Sequence, residues 1–108
     1  MPSCRAVVLA VALAAAAFDA EAQEGDIAAG HAFAREACKP CHLVEPPRAP
    51  RMIEIGPAFR DIADTPGMTA TALKAFLTSS HPKMPNLVLT PQDMTDVTAY
   101  ILSLRRHR

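Results

Sequence analysis

The sequence has no tryptophan, one tyrosine (Tyr100), four phenylalanines and four glycines in 108 residues. A core built on large aromatics is therefore excluded. Charge of one sign is missing too: 11 lysines and arginines face 11 aspartates and glutamates. That leaves no clustered basic excess of the kind nucleic-acid binding requires. The one long apolar run, Ala6 to Phe18, is 13 residues, short of the roughly 20 that a membrane-spanning helix needs. No stretch alternates apolar and polar residues with period two, so no sheet is expected. No internal repeat occurs. Cysteine is scarce: Cys4 precedes the apolar run, and only Cys38 and Cys41 follow it. Two thiols three positions apart close almost no loop, so a disulfide framework is excluded as the source of stability.

The N-terminal layout is that of a secretory leader. Arg5 supplies a positive charge, the apolar run follows, and Ala20-Glu21-Ala22 offers small residues two apart before Gln23. Cleavage there makes residues 1–22 a signal peptide and 23–108 the exported working domain. A retained leader would instead anchor the chain. Removal takes one cation (Arg5) and two anions (Asp19, Glu21), leaving a net charge of +1. A domain this small is marginal on its own and needs an added core element. With disulfides excluded, composition points to a cofactor.

Helices joined by proline-rich connections account for the rest; ten prolines are present. Asp26 is a good N-cap for a helix over Ile27 to Ala37. Ile27, Gly30, Phe33, Ala34 and Ala37 share its broad inner face. Gly30 costs about 1 kcal/mol inside a helix, which close approach of another helix would justify. Val44 to Pro50 is a stiff loop, and Gly56-Pro57 is a turn. Ala58 to Ala63 has room for one or two helical turns. Thr69 caps a third helix over Ala70 to Ser79, with Leu73, Phe76 and Leu77 as its apolar stripe. His81 to Asn86 is excluded from helix by Pro82 and Pro85. Thr90-Pro91-Gln92-Asp93 opens a final helix carrying Met94, Val97, Ile101 and Leu104. Arg105 and Arg106 suit the negative end of its dipole.

Cys38-Lys39-Pro40-Cys41-His42 is the central signal. C-x-x-C-H is the attachment motif for c-type haem. Two thiols at this spacing reach the vinyl groups of adjacent pyrroles, and the next residue is carried beneath the iron. Three other readings compete. A thioredoxin-like pair needs a preceding strand, a zinc site needs a second ligand pair at matching spacing, and chance does not supply a leader and a downstream methionine loop. His31, His81 and His107 form no such pair.

The chain resembles the class I cytochrome c family, especially its short bacterial members, over nearly all of residues 23–108. C-x-x-C-H carries the resemblance most specifically. Gly30 resembles the family's helix-contact glycine, and Gly56-Pro57 its Gly-Pro turn. His81-Pro82-Lys83-Met84-Pro85 looks like the axial-methionine loop, and Asp96 to Ile101 like the C-terminal helix. One departure is that Phe33 and Ala34 reverse the usual placing of the aromatic on the first helix. The resemblance implies an all-α cytochrome c fold of three to four helices around one covalent haem c. It also implies thioethers from Cys38 and Cys41, and His42 and Met84 as axial ligands of the iron. Pro57 C=O would accept a hydrogen bond from His42, and Tyr100 and Val97 would pack over Gly30.

Rivals for the sixth position are Met52, Met68 and His81; His81 would replace Met84 at high pH or on mutation. Met94 is expected in the core, and His31 and His107 in solvent. Phe59, Ile62, Leu73, Phe76 and Leu77 are expected to wall the haem. Arg48, Arg51 and Arg60 are candidate partners for its propionates. With both axial positions filled, the expected role is electron transfer, no catalysis, and transient redox partner proteins steered by Lys39 and Lys83. The alternatives are an open-site haem enzyme or gas-binding protein, and a haem subunit of a larger dehydrogenase or oxidase complex.

Overall fold

The structure, a computed structural model, describes residues 24–46 and 55–107. The expected leader lies outside them, as do Arg48, Arg51 and Met52. Four helices appear among the described residues and no strand: α1 (Ile27–Ala37), α2 (Phe59–Asp64), α3 (Ala70–Thr78) and α4 (Pro91–Ser103).

Their starts follow from side-chain caps. The carboxylate of Asp26 accepts from Ala29 N at 3.0 Å, and Thr69 Oγ1 from Ala72 N at 3.1 Å. Thr90 and Asp93 form a reciprocal capping box, with Pro91 in the first turn. α2 lacks a side-chain cap and is the shortest. Each cap satisfies amide groups that the helix itself leaves unpaired.

α4 is the hub, packing against each of the other three helices, most extensively α1. Two features fix that crossing. A Cβ at Gly30 would fall onto the backbone carbonyl of Asp96 and close to Val97 N, so only glycine lets the helices meet. The Asp96 carboxylate, buried at 6% exposure, accepts from Asp26 N and Gln92 Nε2, both at 2.8 Å. It places a negative charge at the positive end of α1, where the helix dipole favours it.

Ala34, Val44, Phe59, Leu73, Val97 and Ile101 form the heart of the core. On α1 the buried residues are Gly30 and Ala34, while Phe33 is half-buried. Ile27, expected on the inner face, is 42% exposed. Met94 is half-buried but stands outside the core cluster. Arg105 and Arg106 do more than sit at a helix end. Arg105 donates to Ala63 O (2.9 Å) and Met68 O (2.6 Å), and Arg106 pairs with Asp64. The chain end is thereby strapped across the C-terminus of α2. Among the described residues no helix is long and apolar enough to cross a membrane.

Candidate cofactor site

α1 delivers the cysteine motif. Its last turn runs into Cys38, whose amide donates to Ala34 O at 2.9 Å, and His42 N closes the following turn on Cys38 O at 2.9 Å. Cys38, Cys41 and His42 are thus held on one tight turn and face one cleft of about 660 Å³. Sites that hold cofactor-sized ligands span roughly 300–1,000 Å³. The remaining walls are mainly apolar and come from every element: Phe33 of α1, Phe59 and Ile62 of α2, Leu73 and Leu77 of α3, Val97 and Ile101 of α4.

His42 is the most constrained polar group in it. Its Nδ1 lies 2.7 Å from Pro57 O. A carbonyl only accepts, so Nδ1 is the donor, which in the neutral ring leaves Nε2 as the nitrogen with the lone pair. This is how a metal-binding imidazole is usually oriented. Gly56 presses on the same ring. A Cβ there would stand 2.7 Å from His42 Cε1 and 2.8 Å from Nδ1. Gly56 N is in turn tied to Cys41 O at 2.9 Å. The Gly-Pro turn therefore acts as a brace against the face and edge of the imidazole. Phe59 adds a ring contact to His42, with centroids 5.4 Å apart.

Met84, half-buried, lines the cleft from the segment between α3 and α4. So do Met68 and His81. His81 is not loose there: it stacks on Phe76, with centroids 3.7 Å apart and planes 27° from parallel. Phe76 is 50% exposed and Ile55 64%, and both line the cleft, so apolar surface faces open space. Burial pushes the Cys38 thiol up to about 11, so it stands neutral at neutral pH. The donor set suits a porphyrin: two thiols on one turn, an imidazole with a free lone pair, a thioether in the same cleft, and apolar walls. Arg60, offered as a propionate partner, does not line the cleft, and its Nε is buried without a hydrogen-bond partner.

Two groups escaped the sequence reading. His31, expected in solvent, places Nε2 3.0 Å from Glu45 Oε1 and makes a tilted ring contact with Tyr100 at 4.7 Å. That hydrogen bond, with the charges of His31, Arg35 and Lys39, holds the Glu45 carboxyl below its usual range. Tyr100 OH donates to Val44 O at 2.7 Å. Together these contacts fasten α1 and α4 to the strand of chain leaving the cysteine motif. Nothing local signals them, because the partners lie 14 and 56 residues apart.

No family model matches the chain, and no solved structure matches it. It is similar to the cytochrome c-552 of Bradyrhizobium diazoefficiens, 33% identical over 97 residues, which covers 90% of this chain and 92% of that protein. Likeness at that level along almost the whole length, on an all-helical frame, carries the conclusion that the chain belongs to the class I c-type cytochromes and takes a covalent haem c.

Proposed function

We propose that the chain carries single electrons between periplasmic or membrane-bound redox proteins. Cys38 and Cys41 would hold the haem by thioethers, and His42 and Met84 would ligate its iron. The observation that carries this reading is the braced imidazole: His42, fixed by Pro57 and Gly56, shares one cleft with Met84. When bound, the haem supplies a one-electron iron couple, which His and Met ligation shifts upward in potential. Everything else is positioning. Pro57 holds the proton of His42 at Nδ1. Phe59, Leu73, Val97 and Ile101 keep water from the cleft. Pro82 and Pro85 restrict the backbone on either side of Met84. Residues 1–22 serve as the export leader, and partners dock weakly through small interfaces suited to quick release. Lys39 and Lys83, both exposed, are the steering charges.

An open-site enzyme would ask for a free acid–base group near the sixth position. His81, the histidine in that loop, is engaged with Phe76, which favours the carrier. The test is the absorption spectrum of the matured protein, oxidised and reduced, with and without carbon monoxide. The expected result is low-spin iron with the weak long-wavelength sulfur-to-iron band and no response to carbon monoxide. A high-spin ferric form that binds carbon monoxide rapidly would remove Met84 from the iron.

A further inference from the structure

The segment between α3 and α4 is poorly tied down. Ser79 N still bonds to Phe76 O, and the next backbone hydrogen bond along the chain is Met94 N to Thr90 O. Residues 80–89 make no hydrogen bond among the described residues. Leu89 packs against the core at the far end. Beneath the segment lies a hollow of about 240 Å³, lined by Phe76, Leu77, His81, Met84, Leu87 and Met94. Met84 therefore stands between two spaces, the cofactor cleft and this hollow. No backbone hydrogen bond of its segment fixes it. The well-formed contact near it is the stack of His81 on Phe76, at 3.7 Å.

That stack has a chemical consequence. His81 and Met84 belong to the same loosely held segment, both line the cleft, and both are iron ligands by type. Imidazole competes well with thioether for ferric iron, since the softer sulfur favours the reduced metal. Either side chain, presented towards the cofactor, could supply a ligand.

We propose that Phe76 selects the sixth ligand: its ring pins His81 against the end of α3, which leaves Met84 as the side chain free to meet the iron. The inference rests on the reading of Met84 as axial ligand. The exchange it prevents breaks one iron–sulfur bond and forms one iron–nitrogen bond, with no electron transferred. Phe76 is thus a positioning residue. A stacked ring pair shifts a two-state equilibrium by roughly twofold to tenfold, enough to decide between two ligands of comparable strength.

The test uses haem-loaded protein and four variants: Phe76→Leu, Phe76→Tyr, His81→Asn, and Phe76→Leu with His81→Asn. Readouts are the sulfur-to-iron band, the ferric spin state and the midpoint potential. Phe76→Leu is expected to lose most of the band while staying low-spin, with a lower potential. Phe76→Tyr, which keeps a ring, and His81→Asn alone should retain the band. The double variant should regain it. Phe76→Ile serves as a second unpinned variant if the leucine form does not mature. The inference is overturned if the unpinned variants keep the full band, or if the band is lost to a high-spin form that His81→Asn does not restore. Absence of the band in the unmutated protein would overturn the Met84 reading itself, before any variant is made.

Discussion

Tyr100 is the one tyrosine of the chain, and it is buried at 6% exposure. Its ring lies between His31 and Phe59, at 4.7 and 6.4 Å, and its hydroxyl donates to Val44 O. Val44 itself is 1% exposed, so no water can replace that donor without opening the core. Tyr100→Phe keeps the ring contacts and leaves the carbonyl unpaired. The expected cost is about 1–3 kcal/mol, read as a lower denaturation midpoint at unchanged m-value. Burial, with the nearby Glu45 charge, raises the Tyr100 hydroxyl above its ordinary range. The folded state thus holds this proton more tightly than the unfolded chain. Stability from the bond is complete below the ordinary tyrosine pKa and declines as pH rises past it. The gap between wild type and Tyr100→Phe should narrow in alkali; a gap that stays constant there would mean that folding does not raise the hydroxyl's pKa.

At the scale of helices, two effects oppose each other at Gly30. Alanine is the better helix former by about 1 kcal/mol. Its Cβ, however, would strike the Asp96 carbonyl, a backbone group that cannot swing aside. Opening the crossing also pulls the Asp96 carboxylate from Asp26 N. The clash should win, so Gly30→Ala is expected to destabilise by more than about 2 kcal/mol net and to lower the yield of folded holoprotein. Equal or higher stability would place the α1–α4 contact elsewhere. Much of this frame is legible in the sequence because its signals are local. Asp26, Thr69 and Thr90 mark helix starts within three residues of the amides they cap, and the cysteine motif is contiguous. Gly30 announces a close approach without naming the partner. The Asp96–Asp26 contact, the His31–Glu45 pair and the Arg105–Ala63 strap join residues far apart in the chain. A pattern read along the chain cannot reveal which polar groups meet once it folds. Phe76 shows the same limit. Its place in an apolar stripe suggests a wall residue and it does line the cleft, but the stripe does not show that its ring also stacks on His81.

For the molecule as a whole, the cleft is as important as the core. α4 packs against each of the other helices, while Phe33, Ile55, Phe76 and Leu87 turn apolar surface towards the candidate cofactor cleft. Small domains seldom bury enough surface to offset chain entropy without a disulfide, metal or cofactor. With the cysteines assigned to attachment in the proposed function, the haem is the element left to complete the core. Chain expressed without haem maturation is therefore expected to show little helical signal in far-ultraviolet circular dichroism and no cooperative unfolding. Cys38 gives an independent readout. In the folded arrangement, burial raises its thiol from 9.0 to about 11, which suppresses the reactive thiolate by roughly a hundredfold at mildly alkaline pH. In an unfolded chain it reacts as an ordinary cysteine. Alkylation of haem-free protein by iodoacetamide, followed by mass spectrometry, should therefore modify Cys38 at the rate of a free cysteine peptide. Slow modification together with a helical spectrum would show instead that the four helices fold first and that the haem enters a cleft already formed.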